Sequence, residues 1–219
     1  MARAQEYISL SGTGAALAEL AARAHRPGRR RLIGVAGVPG AGKSTFAVAL
    51  ARAIGPAAVQ VPMDGFHLAD VELERLGRRD RKGAPDTFDA YGYASLLSRI
   101  QARPSHVVYA PGFERDLEQP IAASLPVGPE PEVVVTEGNY LLLDQPGWRE
   151  ARACLDEVWY VETDDEVRSQ RLVERHIRFG KSPDEAAVWV QAVDSENARL
   201  VEKTRLRADL RIDLSAFQL

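Results

Sequence analysis

Gly37-Val38-Pro39-Gly40-Ala41-Gly42-Lys43-Ser44 fits the pattern G-x-x-x-x-G-K-[ST], and its flanks give it meaning. Arg31 to Ala36 before it reads as a short apolar strand. Lys43 to Ile54 after it reads as a helix that stops at Gly55-Pro56. A glycine-rich turn between strand and helix can curl its backbone N–H groups inward, and the helix adds the positive end of its dipole, so the loop suits phosphate oxygens. Gly37, Pro39, Gly40, Ala41, Gly42, Lys43, Ser44 and Thr45 are therefore expected to bind ATP. Lys43 would hold the β- and γ-phosphates, and the Ser44 hydroxyl would face Mg²⁺. The plainer reading, an ordinary Gly-rich turn, does not account for the full pattern in this context.

Outward from the loop, strands and helices alternate. Leu17 to His25 reads as a helix, Ala57 to Val61 as a buried strand, and Asp89 to Ala102 as a helix ended before Pro104. Strands at His106–Ala110, Glu132–Thr136, Glu157–Val161 and Asp209–Leu214 follow, with helices near Trp148, from about Asp165, and from about Pro183 to Lys203. Near-continuous apolar strands such as Val133-Val134-Val135, separated by helices, imply a parallel sheet covered on both faces. The expectation is a P-loop NTPase fold: a three-layer α/β/α sandwich with a mostly parallel sheet, one domain over residues 1–219, and a small helical lid over about 168–185. Pro111 to Pro131, with several Pro and Gly residues and little periodicity, reads as a long functional loop.

Composition narrows the partners. A net charge of −3 gives no field that would draw nucleic acid or an anionic membrane, so a small molecule is the expected partner. Cys154 is the single cysteine, which excludes an intramolecular disulfide and a Cys-based metal cluster. No apolar run approaches the ~20 residues that span a bilayer, and the first ten residues carry no apolar signal core, so a cytoplasmic protein is expected.

Two further strand ends carry acids. Asp64, in Pro62-Met63-Asp64-Gly65-Phe66-His67, would stand at the carboxyl edge of the sheet beside the phosphate loop. A carboxylate there can take the proton of an attacking hydroxyl, with Gly65 permitting close approach of substrate and His67 in reach of it. A turn residue before glycine is the plainer reading of Asp64. Glu137 ends Val133-Val134-Val135-Thr136 as a Walker B acid does and would face Mg²⁺; capping of the next segment is its alternative. In Pro85-Asp86-Thr87-Phe88-Asp89, Thr87 or Asp89 can cap the following helix, and Asp86 can also bind acceptor hydroxyls.

Arg168, Arg171, Arg175 and Arg178 recur at helical spacing and form a positive ridge. Arg168 and Arg178 read as a solvated face, whereas Arg171 and Arg175 are candidates to stabilise charge on a transferring phosphoryl group. His176, Trp189, Asp194 and Asn197 lie in the same region without an assigned role. The basic run Arg78-Arg79-Asp80-Arg81-Lys82 reads as a solvated loop, with attraction of an acidic substrate as its alternative.

The phosphate loop, Met63-Asp64-Gly65-Phe66-His67, Pro85-Asp86-Thr87-Phe88-Asp89, Glu137-Gly138-Asn139-Tyr140 and the arginine ridge, in this order, resemble the phosphoribulokinase, uridine kinase and pantothenate kinase superfamily over about Leu32 to Asp213. Tyr109-Ala110-Pro111-Gly112-Phe113-Glu114-Arg115, Arg171 to His176 and Asp194 to Ala198 are similar to a bacterial subgroup of nucleoside or nucleotide kinase family proteins, some named fructose transport system kinases. The resemblance implies Asp64 as catalytic base, Lys43 and Ser44 on ATP and magnesium, and Glu137 assisting the metal. It makes His67, Asp86, Arg115 and Tyr140 acceptor-pocket candidates, and it implies a possible homodimer. Uridine kinases carry Asp-Ser-Phe-Tyr where this chain has Asp64-Gly65-Phe66-His67, so the acceptor stays open among sugars, nucleosides and pantothenate-like polyols. A kinase of a small hydroxyl acceptor is the leading reading. A nucleotide-dependent switch without an acceptor is the alternative.

Overall fold

A computed structural model of the chain describes residues 6–10 and 14–217. Sixteen regular elements follow one another: β1 (Glu6–Ser9), α1 (Gly14–Ala24), β2 (Arg31–Ala36), α2 (Lys43–Ile54), β3 (Ala58–Pro62), α3 (Asp70–Arg75), α4 (Ala90–Gln101), β4 (Val108–Glu114), β5 (Gln119–Val127), β6 (Val133–Glu137), α5 (Trp148–Ala153), β7 (Glu157–Glu162), α6 (Asp165–Arg178), α7 (Pro183–Trp189), α8 (Ser195–Glu202) and β8 (Leu210–Asp213). Six strands form one parallel sheet in the order β1-β8-β7-β2-β6-β3. Every residue of β2 and β6 is buried, as continuous apolar runs in the middle of a doubly covered sheet must be.

Register then sets the site. Val35 and Pro62 both pair with Glu137, so β2, β6 and β3 end level with one another, and the segments that follow them meet at one edge. Thr136 fastens β6 to its neighbours: its hydroxyl donates to the Val61 carbonyl at 2.6 Å and lies 2.6 Å from the buried Tyr93 hydroxyl on α4. The Asp89 carboxylate accepts the Gly92 N–H at 2.8 Å and starts α4, as its capping reading requires.

Three expectations are corrected. Pro111 to Pro131 is not a loop: β4 and β5 pair antiparallel as a separate two-stranded hairpin, with a register shift between Ala110 and Gly112. The apolar run His106–Ala110 begins that hairpin and does not join the main sheet. Most of β5 faces solvent, so no apolar alternation marks it. Gly65 makes room for protein, not substrate. A Cβ there would come within 2.3 Å of the Pro111 carbonyl oxygen, so the turn after β3 and the hairpin can touch only through glycine.

The expected helix from Pro183 to Lys203 is α7 and α8 joined by a π-helical turn over Val190–Asp194. β1, at the opposite edge of the sheet from β3, was not foreseen in the polar N-terminus.

Candidate active site

The phosphate loop is held open by conformation and by contact. Gly40 and Gly42 adopt φ of +78° and +90°, in the left-handed region that glycine reaches without penalty. A Cβ on Gly40 would meet the Arg168 carbonyl oxygen at 3.0 Å, so α6 lies directly on the loop. Lys43 opens α2 at 8% exposure, and its Nζ donates to the Val38 carbonyl oxygen at 2.9 Å. Burial lowers the Lys43 pKa to about 8, against the opposing pull of Glu137 and Asp64.

Glu137 ends β6 almost wholly buried and accepts the Ser44 hydroxyl at 3.0 Å. Burial and the neighbouring Asp64 raise its pKa. A hydroxyl and a carboxylate side by side are hard oxygen donors that fit Mg²⁺, which is held by one or two protein groups together with substrate phosphates. Among the described residues no cluster of three or more His, Cys, Asp or Glu side chains could cage a metal.

Asp64 follows β3 by two residues, in a 3₁₀ turn over Met63–Phe66. Its carboxylate accepts from Arg115 Nη2 at 3.1 Å. Burial alone would raise its pKa, but positive charge on His67, protonated at the low pH where Asp64 titrates, and on Arg115, Arg175 and Lys43 outweighs burial and lowers it. The His67 ring packs between Phe88, at 3.9 Å between centroids, and Phe113, at 4.8 Å. Its Nδ1 lies 2.8 Å from the Asp64 carbonyl oxygen, so Nδ1 carries the hydrogen. Burial lowers the His67 pKa, which leaves Nε2 an acceptor at neutral pH.

These groups share a cavity of about 500 Å³. Pro39, Gly40, Lys43, Ser44 and Glu137 line it together with Asp64, His67, Phe88, Phe113 and Arg115. Arg175 reaches this cavity and a second one of about 480 Å³. That second cavity is also lined by Gly40, Gly42, Lys43, Ser44, Thr45, Arg171, Leu214 and Phe217. Arg171 belongs to the second cavity alone. Gly37 and Ala41 shape the loop without lining either; a Cβ at Gly37 would fall 2.5 Å from the Val161 carbonyl oxygen.

Asp86 and Tyr140 are not brought to the cavity. Asp86 pairs with Arg81 at 2.8 Å and Arg78 at 3.4 Å, and Tyr140 is fully buried with its hydroxyl donated to the Gly83 carbonyl. Asn139, one residue before Tyr140, lines the cavity instead.

Lys82 was hidden in a basic run that reads as solvated. It lines the cavity, bonded to Asp70 at 2.6 Å and to the Glu118 carbonyl of the hairpin turn. His176 Nε2 and Asp194 Oδ2 lie 2.8 Å apart across the cavity wall, tying α6 to the π-helical turn. Such turns often re-aim side chains at functional sites. No local motif in the sequence announces either arrangement.

The sequence matches the Phosphoribulokinase / Uridine kinase family over residues 32–216. The chain belongs to that family. It is 34% identical over 193 residues to a Schizosaccharomyces pombe protein provisionally named a uridine kinase, covering 83% of this chain and 82% of that one. It is also 35% identical over 153 residues to an ATP-dependent kinase-like protein of Aspergillus versicolor, covering 66% of this chain and 89% of the other. A solved structure from Silicibacter sp. TM1040, provisionally named a fructose transport system kinase, superposes with a TM-score of 0.80 at 40% identity. It covers 89% of this chain and 98% of that one. The chain is thus an ATP-dependent P-loop kinase of a small metabolite, with the α/β P-loop NTPase fold. No helix of the described residues is long and apolar enough to cross a membrane.

ATP binding should be visible as proton uptake. Free Lys43 loses its proton above about pH 8, whereas a triphosphate beside it favours the charged form. Near pH 9, binding of Mg-ATP should take up a substantial fraction of about one proton per site, and near pH 7 almost none. Calorimetric titration in two buffers of different ionisation enthalpy reads this directly. Identical heats in both buffers near pH 9 would show that Lys43 does not titrate there.

Proposed function

We propose that this kinase transfers the γ-phosphate of ATP to a hydroxyl of a sugar, nucleoside or pantothenate-like acceptor, with Asp64 as the base. The observation that carries the reading is that Asp64 lines the same cavity as the phosphate-loop groups Lys43 and Ser44. The acceptor hydroxyl donates to the Asp64 carboxylate, and as its O–H bond breaks the proton passes to Asp64. The oxygen forms a bond to the γ-phosphorus while the bond from that phosphorus to the β-phosphate bridging oxygen breaks, and ADP leaves with the electron pair.

Lys43, released from the Val38 carbonyl, holds the β- and γ-phosphates. Arg175, which faces both Asp64 and Lys43, offsets charge on the transferring group. Arg171 serves the nucleotide side. Mg²⁺, when bound at Ser44 and Glu137, neutralises phosphate charge. His67 Nε2 and Arg115 orient the acceptor against the Phe88 and Phe113 rings.

The test is ADP production from Mg-ATP across sugars, nucleosides, vitamins and their monophosphates. One acceptor raising turnover well above the ATP-alone rate is expected. A flat panel with intact ATP binding would favour a nucleotide switch.

A further inference from the structure

Of the 14 residues of α6 only Leu172 is buried. The side chains of Arg168 and Gln170 are spent within the helix, on Asp165 and Glu174. The phosphate loop fixes the first turns, where Gly40 leaves room for the Arg168 carbonyl and the Leu172 side chain. Arg175 lies farther along and is exposed, and among the described residues no side-chain hydrogen bond or ion pair holds it. A long side chain without a partner is aimed by its helix, so whatever fixes this part of α6 decides where the guanidinium stands.

The next residue supplies the fixing point. His176 Nε2 lies 2.8 Å from Asp194 Oδ2, and both side chains are mostly buried. A carboxylate only accepts, so Nε2 carries the hydrogen and donates it. Asp194 stands on firm structure: the Ser195 hydroxyl donates to the Val190 carbonyl at 2.9 Å across the π-helical turn, and α8, which follows, buries Asn197, Ala198 and Val201. The Trp189 ring flanks the imidazole at 6.3 Å between centroids.

We propose that His176 is a positioning residue for phosphoryl transfer: its bond to Asp194 fixes the C-terminal end of α6 against the π-helical turn and so holds the Arg175 guanidinium on the transferring group. The inference rests on the proposed role of Arg175 and adds the residue through which the fold enforces it. Arg175 and His176 are neighbours on one helix, so the backbone at Arg175 cannot move away from the site without drawing His176 off Asp194. Arg175 lines both cavities, with Lys43 and Ser44 in each, which puts it beside the place where the γ-phosphate is proposed to sit. A displacement of about 1 Å in such a group is enough to cost on the order of 10²-fold in rate.

The experiment is a double-mutant cycle on the full chain. Turnover is measured with Mg-ATP and the fastest acceptor of the panel above, and with Mg-ATP alone, where water takes the phosphoryl group. Wild type, His176→Leu, His176→Gln, Arg175→Met and the double variant His176→Leu/Arg175→Met are compared in kcat, in the KM for ATP and in Tm. Leucine fills the space and removes the donor, whereas glutamine keeps an N–H at about the reach of Nε2. His176→Asn, whose amide is too short to reach Asp194, is the second loss variant and enters the cycle if leucine unfolds the chain. Asp194 is left in place, because its charge also acts on Lys43 and its removal would alter the phosphate loop directly.

His176→Leu should lower kcat by about 10- to 100-fold with a much smaller change in the KM for ATP, and His176→Gln should recover most of the loss. In the Arg175→Met background the same change should cost less than about twofold, because the side chain it positions is gone. A loss that persists undiminished without Arg175, or a His176→Leu protein as active as wild type, overturns the inference and leaves the kinase reading standing. An Arg175→Met protein with full activity removes the proposed role of Arg175, and the inference with it.

Discussion

Asn in place of Asp64 is expected to lower kcat for phosphoryl transfer by about 10²- to 10⁴-fold, the range that a positioned general base supplies. The amide keeps the shape of the carboxylate and can still accept from Arg115 Nη2, so the site should hold its geometry while losing the carboxylate proposed to take the acceptor proton. The KM for ATP should change less than kcat, because the donors proposed for the triphosphate, Lys43 and the loop backbone, are left in place.

A companion expectation concerns pH. The Asp64 pKa is lowered, so the carboxylate form persists at neutral and mildly acidic pH, and any fall in wild-type kcat above the carboxylate range should come from protonation of His67 and not of Asp64. Unchanged transfer in Asp64→Asn would remove Asp64 from the chemistry. Slow ATP turnover that is the same in both proteins and insensitive to every acceptor would favour the switch.

What the sequence made legible and what it hid divide along a physical line. Asp64 and Glu137 are readable because each sits at or just past a strand end, within a few residues of an apolar run that fixes its place at the sheet edge, and Lys43 and Ser44 because they open the helix that follows the glycine-rich loop after β2. The hairpin was not readable. The run His106–Ala110 marks the start of β4, but β4 and β5 pair only with each other and β5 buries little, so neither alternation nor an apolar run betrays β5 or the pairing.

Tyr140 shows the limit of carrying a motif residue by residue. It belongs to the matching segment, yet its hydroxyl is spent on the Gly83 carbonyl inside the protein, and Asn139 takes the place at the cavity. Asp194, which meets His176, lies in the π-helical turn between α7 and α8, a change of phase that a helical repeat read from sequence does not contain.

Lys43→Met is expected to separate activity from stability. Loss of the ammonium removes the donor proposed for the β- and γ-phosphates, and transfer should fall by about 10²- to 10³-fold or more, with weaker ATP binding. The fold should not suffer with it. The Lys43 pKa drops from 10.5 to about 8, which means that keeping this side chain charged inside the protein costs on the order of 3 kcal/mol below pH 8.

The sign follows from the direction of the shift. The folded state binds its proton less tightly than the unfolded chain does, so the penalty is fully present below about pH 8 and fades as pH rises towards 10.5. Methionine removes the penalty but leaves the Val38 carbonyl without its donor, a loss of about 1–3 kcal/mol, so the two effects nearly offset. Thermal unfolding of the nucleotide-free protein at pH 7 should therefore give a Tm for Lys43→Met equal to or above that of wild type, while Mg-ATP should stabilise the wild type much more than the variant. A clear fall in Tm without nucleotide would mean that Lys43 holds the loop together. A Tm that holds while transfer collapses would mean that the chain keeps a buried charge at the expense of its own stability, because the phosphates require it.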